Sequence, residues 1–237
     1  MTSCTRVLLL GDEDGLVEHL GRWLEEAAPG CYQLMAGHIE EDGLATLLSG
    51  DFAAGLLLVA DQPTVARDLL AAVKNQFCSV PVVALSHTMD LVLDREAIPS
   101  GAADYLALDN ISAVLLERSL RYAIERKRTE QNLARLAHHD PLTDIPNRVL
   151  FRDRLENAIR VAARDRARFA LMFIDLDDFK VVNDRYGHDI GDSLIRLCAE
   201  RLQKLLRRSD SMARMGGDEF TLLLLNVESS SNIAHLA

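Results

Sequence analysis

The chain has 237 residues, 49% hydrophobic and 26% charged, which is the balance of an ordinary folded protein and excludes a disordered, collagenous or low-complexity chain. Aromatic residues make up only 5%, so the core has to be built from Leu, Ala and Val. The formal charge of −10 is unevenly spread: residues 1–112 carry 17 acidic against 5 basic side chains, and residues 113–237 carry 19 against 21. This asymmetry points to two domains, and an acidic chain lacks the basic face that nucleic-acid phosphates require. The longest apolar run, residues 52–60, is too short to cross a bilayer. The apolar start of the chain is cut off at Gly11-Asp12-Glu13-Asp14, before it reaches the length of a secretory signal. Cys4, Cys31, Cys78 and Cys198 are widely spaced without a metal-ligand pattern, and they read as reduced packing residues of a cytoplasmic protein.

In chain order, residues 6–10 read as a buried strand, and Leu16, Leu20 and Leu24 mark one face of a helix. Residues 55–60 form the second buried strand, and Val65, Leu69, Leu70 and Val73 the face of the next helix. Residues 80–86 and 104–108 are two further strands. Apolar strands alternating with amphipathic helices predict an α/β fold over residues 1–112, a doubly wound parallel sheet covered on both faces.

Residues 112–138 contain neither Gly nor Pro, and residues 113–138 read as one long connecting helix. Leu116, Leu120, Ala123, Lys127, Glu130, Ala134 and Ala137 follow an approximate heptad, which suits a weak coiled coil or a solvated spacer equally. Asp140-Pro141 reads as an N-cap followed by Pro at the first helical position. Beyond it the pattern predicts a helix over residues 149–163, a strand over 169–175, and helices over 179–186 and 193–206. Two apolar runs, 212–215 and 220–225, flank Gly216-Gly217 as a hairpin.

The chemistry concentrates in two acidic clusters of the second half. Asp175-Leu176-Asp177-Asp178 ends one predicted strand, and Asp218-Glu219 lies at the hairpin. Carboxylates beside apolar strands are costly unless paired, and the two clusters converge if their strands are neighbours. An oxygen-only ligand set of this kind suits Mg²⁺ with substrate phosphates. Lys180 is placed to neutralise a phosphate, and Gly216-Gly217 would let a nucleotide approach bare backbone. Asp178 reads as the cap of helix 179–186, and Asp192 as a cap of the helix from Ser193 as well as a site residue.

Gly216-Gly217-Asp218-Glu219-Phe220 resembles the signature of the GGDEF family of diguanylate cyclases. Asp140-Pro141-Leu142-Thr143 through Arg148 resembles that family's opening segment. Asp175-x-Asp177-x-Phe179-Lys180-x-x-Asn183-Asp184-x-x-Gly187-His188-x-x-Gly191-Asp192 resembles its central block. The resemblance covers roughly residues 138–237 and implies an α/β domain, residues 139–237, with a mainly antiparallel, palm-like sheet. It implies condensation of two GTP into cyclic di-GMP and pyrophosphate with Mg²⁺ or Mn²⁺. The alternative is a catalytically silent module that binds GTP, cyclic di-GMP or a partner. By the resemblance, Asp175, the Leu176 carbonyl and Asp218 hold the metal. Asp218, Glu219 and Lys180 are catalytic, and Asn183, His188, Asp192 and Arg214 bind substrate. Arg207 and Asp210 form an inhibitory product site.

Residues 1–112 resemble the receiver domain of response regulators, carried by Gly101-Ala102-Ala103-Asp104-Tyr105-Leu106 and the helix that follows. The receiver pattern is degenerate: Gly11-Asp12 stands for its acidic pair, Leu58 for the acceptor aspartate and Leu108 for the lysine, while Ser86 is retained. No phosphorylation site is therefore expected; Asp61, three residues late, would be a displaced acceptor only if the loop shifts. Asp12, Glu13 and Asp14 are a possible residual Mg²⁺ site with no acceptor to serve. A receiver-shaped module would serve dimerisation or a signalling partner. The resemblance also implies a homodimer, since each cyclase domain presents one GTP. It further implies a domain incomplete at its C-terminus, with residues 220–225 near an unfinished sheet and little turnover from this stretch alone.

Overall fold

A computed structural model describes residues 4–11, 13, 15–39, 43–49, 52–59, 63–75 and 79–227. The chain divides into two compact units, Met1–Gln131 and Asn132–Ala237.

The first unit alternates strands and helices: β1 (Thr5–Leu10), α1 (Leu16–Ala27), β2 (Tyr32–Gly37), α2 (Gly43–Ser49), β3 (Ala54–Leu58), α3 (Pro63–Asn75), β4 (Val82–Ser86), α4 (Leu91–Ser100) and β5 (Asp104–Ala107). The long helix α5 (Ala113–His138) follows. All strand pairs in this sheet are parallel, in the order β2-β1-β3-β4-β5, which is a doubly wound arrangement. Alternate strand residues feed two cores. Leu8, Leu10, Leu57, Val82 and Ala84 meet Leu47, Ala66, Leu70 and Ala97 of α2, α3 and α4. Val7, Leu9, Leu56, Val83 and Leu85 meet Leu16, Leu20 and Leu24 of α1 and Leu116 and Leu120 of α5. Burial on both faces explains why these strands are apolar without alternation.

Strand β2 escapes that pattern. It is one edge of the sheet and the one left partly uncovered, with Gln33, Met35 and Ala36 exposed, and so it carries no continuous apolar run. Residues 32–37 and the short α2 are elements that the apolar runs do not predict. The start of α5 also departs from expectation. Leu116, Leu120 and Ala123 are not free to line a seam between protomers, because they are buried in their own unit's core together with Ile124. Residues 128–137 of the same helix are exposed. Cys4 and Cys31 are exposed rather than packed, Cys198 is half-buried, and Cys78 lies outside the described residues.

The second unit continues through α6 (Arg148–Asp165), β6 (Ala170–Ile174), α7 (Phe179–Tyr186), α8 (His188–Leu205), β7 (Ser211–Gly216) and β8 (Glu219–Leu224). Its sheet is antiparallel with the order β6-β8-β7. On one face Met212, Phe220, Leu222 and Leu224 pack with Ile195 and Ala199 of α8. On the other, Ala213 and Leu223 pack with Phe151 and Ala158 of α6.

Pro141 does not open a helix: Asp140 closes a turn instead, its carboxylate accepting from the Thr143 amide at 3.0 Å. The cap of α6 is Asn147, whose side-chain oxygen accepts from Val149 and Leu150. Asp178 precedes α7 with φ 57° and makes no side-chain capping bond. Helix α8 begins at His188, so Asp192 lies inside it and caps nothing. Strand β8 is the centre of its sheet, paired on both sides and buried from Phe220 to Leu224. Residues 220–224 thus expose neither apolar surface nor unpaired backbone; on the sheet's margin it is β6 that exposes apolar surface, with Phe173 at 77%.

Candidate active site

The register of β6 on β8 assembles the acidic site. Ile174 stands opposite Phe220 as the last pair, so the next residues outward, Asp175 and Glu219, face each other where the two strands emerge. Asp218 belongs to the turn that joins β7 to β8. That turn depends on Gly216 at φ 142° and Gly217 at φ 56°, a backbone that side-chain-bearing residues rarely adopt. The register slips between Arg214 and Gly216, leaving Met215 as a bulge that bends the hairpin just before the acids. Asp175 and Glu219 are exposed and Asp218 is half-buried.

Asp175 and Glu219 border a groove of about 660 Å³ between α6 and the sheet, walled by Arg148, Arg152 and Phe173. Thr221 lies in the same groove, is fully buried and has no hydrogen-bond partner for its hydroxyl. Among the described residues, no group of three or more acidic, His or Cys side chains is gathered closely enough to hold a metal ion.

Lys180 is exposed in the first turn of α7. Asn183, one turn further, is the residue on which α7 and α8 meet. A Cβ on Gly191 would lie 1.9 Å from Asn183 Oδ1, so any larger residue there would displace the Asn183 side chain. Asn183 Oδ1 is buried without a hydrogen-bond partner. His188 and Asp192 are exposed on α8.

Arg214 is anchored within its own unit. Its Nη1 donates to Asp140 Oδ1 at 2.9 Å and Oδ2 at 3.2 Å, and its Nε donates to the Gly217 carbonyl at 2.8 Å. The Thr143 hydroxyl donates to the same Asp140 oxygen at 2.7 Å. Burial pushes the Asp140 carboxyl up, but the Thr143 hydroxyl, the Arg214 guanidinium and the Thr143 amide together outweigh it and hold it below its ordinary value.

Residues 137–237 match the family described as "Diguanylate cyclase, GGDEF domain". This part of the chain is similar to a GGDEF domain. Among curated relatives, the bifunctional diguanylate cyclase/cyclic di-GMP phosphodiesterase MucR of Pseudomonas aeruginosa is 48% identical over 119 residues, covering 50% of this chain and 17% of MucR. Diguanylate cyclase TpbB of the same species is 38% identical over 155 residues, covering 65% of this chain and 36% of TpbB. The chain thus spans about a third or less of the length of these relatives. The solved GGDEF domain of TpbB matches with 46% identity and a TM-score of 0.41, over 42% of this chain and 58% of that one.

Elsewhere in the GGDEF domain, Asp210 is committed to backbone. Its Oδ2 accepts from the Arg207 amide at 3.1 Å and its Oδ1 from the Leu225 amide at 3.2 Å, tying the turn before β7 to the end of β8. Arg207 is exposed. Asp210 also borders a pocket of about 330 Å³ with Arg154, Arg168 and Arg208. Thr221 is a groove-lining residue that no motif singles out, while Asp140 and Arg148 belong to the opening segment without a role assigned there.

In the first unit, Leu58 is buried at the end of β3 and packs in the α1/α5 core, and Leu108 packs partly against that core. Ser86 is buried, donates to the Thr88 carbonyl at 2.8 Å and pairs with the Tyr105 hydroxyl at 2.7 Å. Glu13 forms a 3.1 Å ion pair with His87. Asp12, Asp14 and Asp61 lie outside the described residues.

Proposed function

We propose that the GGDEF domain joins two GTP molecules into cyclic di-GMP with release of two pyrophosphates, under the control of a receiver-like unit that takes no phosphoryl group. One observation carries this reading: the pairing of Ile174 with Phe220 puts Asp175 opposite Glu219, beside the Gly216-Gly217 turn.

The donor set fits a magnesium ion by its chemistry, two carboxylates and a carbonyl with no soft ligand. Asp175, Asp218 and the Leu176 carbonyl would hold it, and substrate phosphates would complete the shell that two carboxylates leave open. Bound there, the ion would neutralise charge on the α-phosphate and acidify the ribose 3′-hydroxyl. The residues divide the remaining work. Asp218 or Glu219 receives the hydroxyl proton as the 3′-oxygen attacks the partner substrate's α-phosphorus and pyrophosphate departs. Lys180 faces phosphate charge. Asn183 and Asp192 read guanine, the exposed Asp192 carboxylate accepting from its N1–H and N2–H₂ edge. His188 is a further substrate contact, and Arg207 a product contact at its exposed guanidinium.

Each domain offers one substrate, so two protomers have to face each other. The exposed residues 128–137 of α5 are the stretch left for such pairing, with Leu133 and Leu136 its apolar members. Its first half is already buried at home, which favours a weak, concentration-dependent homodimer. Leu58 and Leu108 leave the first unit without an acceptor or its lysine partner, so it serves as an interaction module. The test is product analysis after incubation with GTP and Mg²⁺. Cyclic di-GMP with two pyrophosphates per molecule, lost in Asp218→Asn, supports condensation. GTP that binds and is returned unchanged contradicts it.

A further inference from the structure

We propose that Cys4 and Cys31 form a surface dithiol that closes into a disulfide by exchange with a low-molecular-weight disulfide. The observation is one of register. Thr5 pairs with Tyr32 as the first rung of the parallel β1/β2 ladder, and the Thr5 amide donates to the Cys31 carbonyl at 2.8 Å. Cys4 and Cys31 are the residues immediately before the two strands, so continuing the register by one step sets them opposite each other.

Neighbouring strands lie about 4.8 Å apart, and in-register side chains project to the same face. That separation falls within the span of about 4.4–6.8 Å between Cα atoms that a disulfide bridges. The face is the one carrying Arg6 opposite Gln33 and Leu8 opposite Met35. It is uncovered over β2, where Gln33 and Met35 are exposed, and both cysteines are themselves free and exposed. An oxidant therefore reaches either sulfur without unfolding the unit.

The reaction balances in two exchanges. One cysteine thiolate attacks the reagent's S–S bond, forming a mixed disulfide and expelling one reagent thiolate. The second cysteine thiolate then attacks the first cysteine's sulfur and expels the other. Two protein thiols are oxidised to one disulfide, and one reagent disulfide is reduced to two thiols. The product links the start of β1 to the start of β2 and encloses α1 in a covalent loop, leaving the GGDEF domain untouched.

The experiment uses the full chain titrated with glutathione disulfide, followed by intact mass and non-reducing peptide mapping. The expected product is lighter by two hydrogens, with one cross-linked peptide pair joining Cys4 to Cys31 and with Cys78 and Cys198 recovered as free thiols. In Cys4→Ser, Cys31 is expected to retain glutathione as a mixed disulfide. Glutathione carried separately on Cys4 and Cys31 of the unsubstituted chain, or a disulfide between two copies, overturns the proposal.

Discussion

Asp140 and Arg214 are 74 residues apart and meet in an ion pair with side chains only 16% and 13% exposed. The same guanidinium holds the Gly217 carbonyl, so the turn at Asp140–Thr143 and the hairpin that carries Asp218 and Glu219 are braced against each other. The brace explains how a hairpin with two consecutive positive-φ glycines keeps one geometry.

Removing one partner should cost more than the bond itself, because the other charge stays half-buried. Asp140→Ala is expected to destabilise the GGDEF domain by about 2 kcal/mol, the scale of hydrogen bonds to charged groups. Under the proposed function it should also lower turnover more than it weakens GTP binding, since Asp140 lies behind the hairpin rather than against substrate. Denaturant unfolding and single-turnover kinetics read the two effects separately. A variant that unfolds at the wild-type midpoint would contradict the bracing role.

The same pair sets an acid limit. The folded-state pKa of Asp140 is lowered from 3.8, so its stabilisation is present above that value and is lost as pH falls below it, through the lower folded value. Asp140→Asn should flatten the acid limb of the stability profile below about pH 4 relative to wild type. Parallel acid limbs in the two proteins would count against it.

Tyr32 supplies an alkaline counterpart in the first unit. Burial, the nearby Glu117 carboxylate and the 3.2 Å bond to it raise the phenol from 10.0 to about 12. A raised phenol stabilises the fold fully below pH 10 and loses that contribution as pH rises towards 12. Tyrosinate absorbance should therefore show a late step, absent in Tyr32→Phe. Identical titration curves would refute it.

Leu58 and Leu108 predict that acetyl phosphate leaves the chain's mass and its oligomeric state unchanged. A phosphoryl adduct mapped to Asp61 would show that a displaced acceptor works after all.

The sequence is most legible where burial is symmetric. Strands β1, β3, β4 and β5 are covered on both faces, so each is a plain apolar run. Strand β2 is an edge and hides among polar residues. The acids of the second unit are legible as clusters, but their meeting depends on β6 lying beside β8, a long-range pairing that no local pattern encodes. Arg214 shows the opposite limit. Its place in the motif suggests a substrate contact, and only the fold reveals Asp140 waiting for it. Asp192 reads as a cap because Ser193 follows it, whereas Gly187, five residues earlier, is the residue that precedes α8.

The most direct test of the site is GTP affinity measured by calorimetry with and without Mg²⁺, in wild type and in the Asp175→Asn, Asp218→Asn double variant. Mg²⁺ should tighten GTP binding in wild type, and the double variant should lose that dependence while keeping its fold. Unchanged Mg²⁺ dependence in the double variant would contradict the assignment of these two carboxylates.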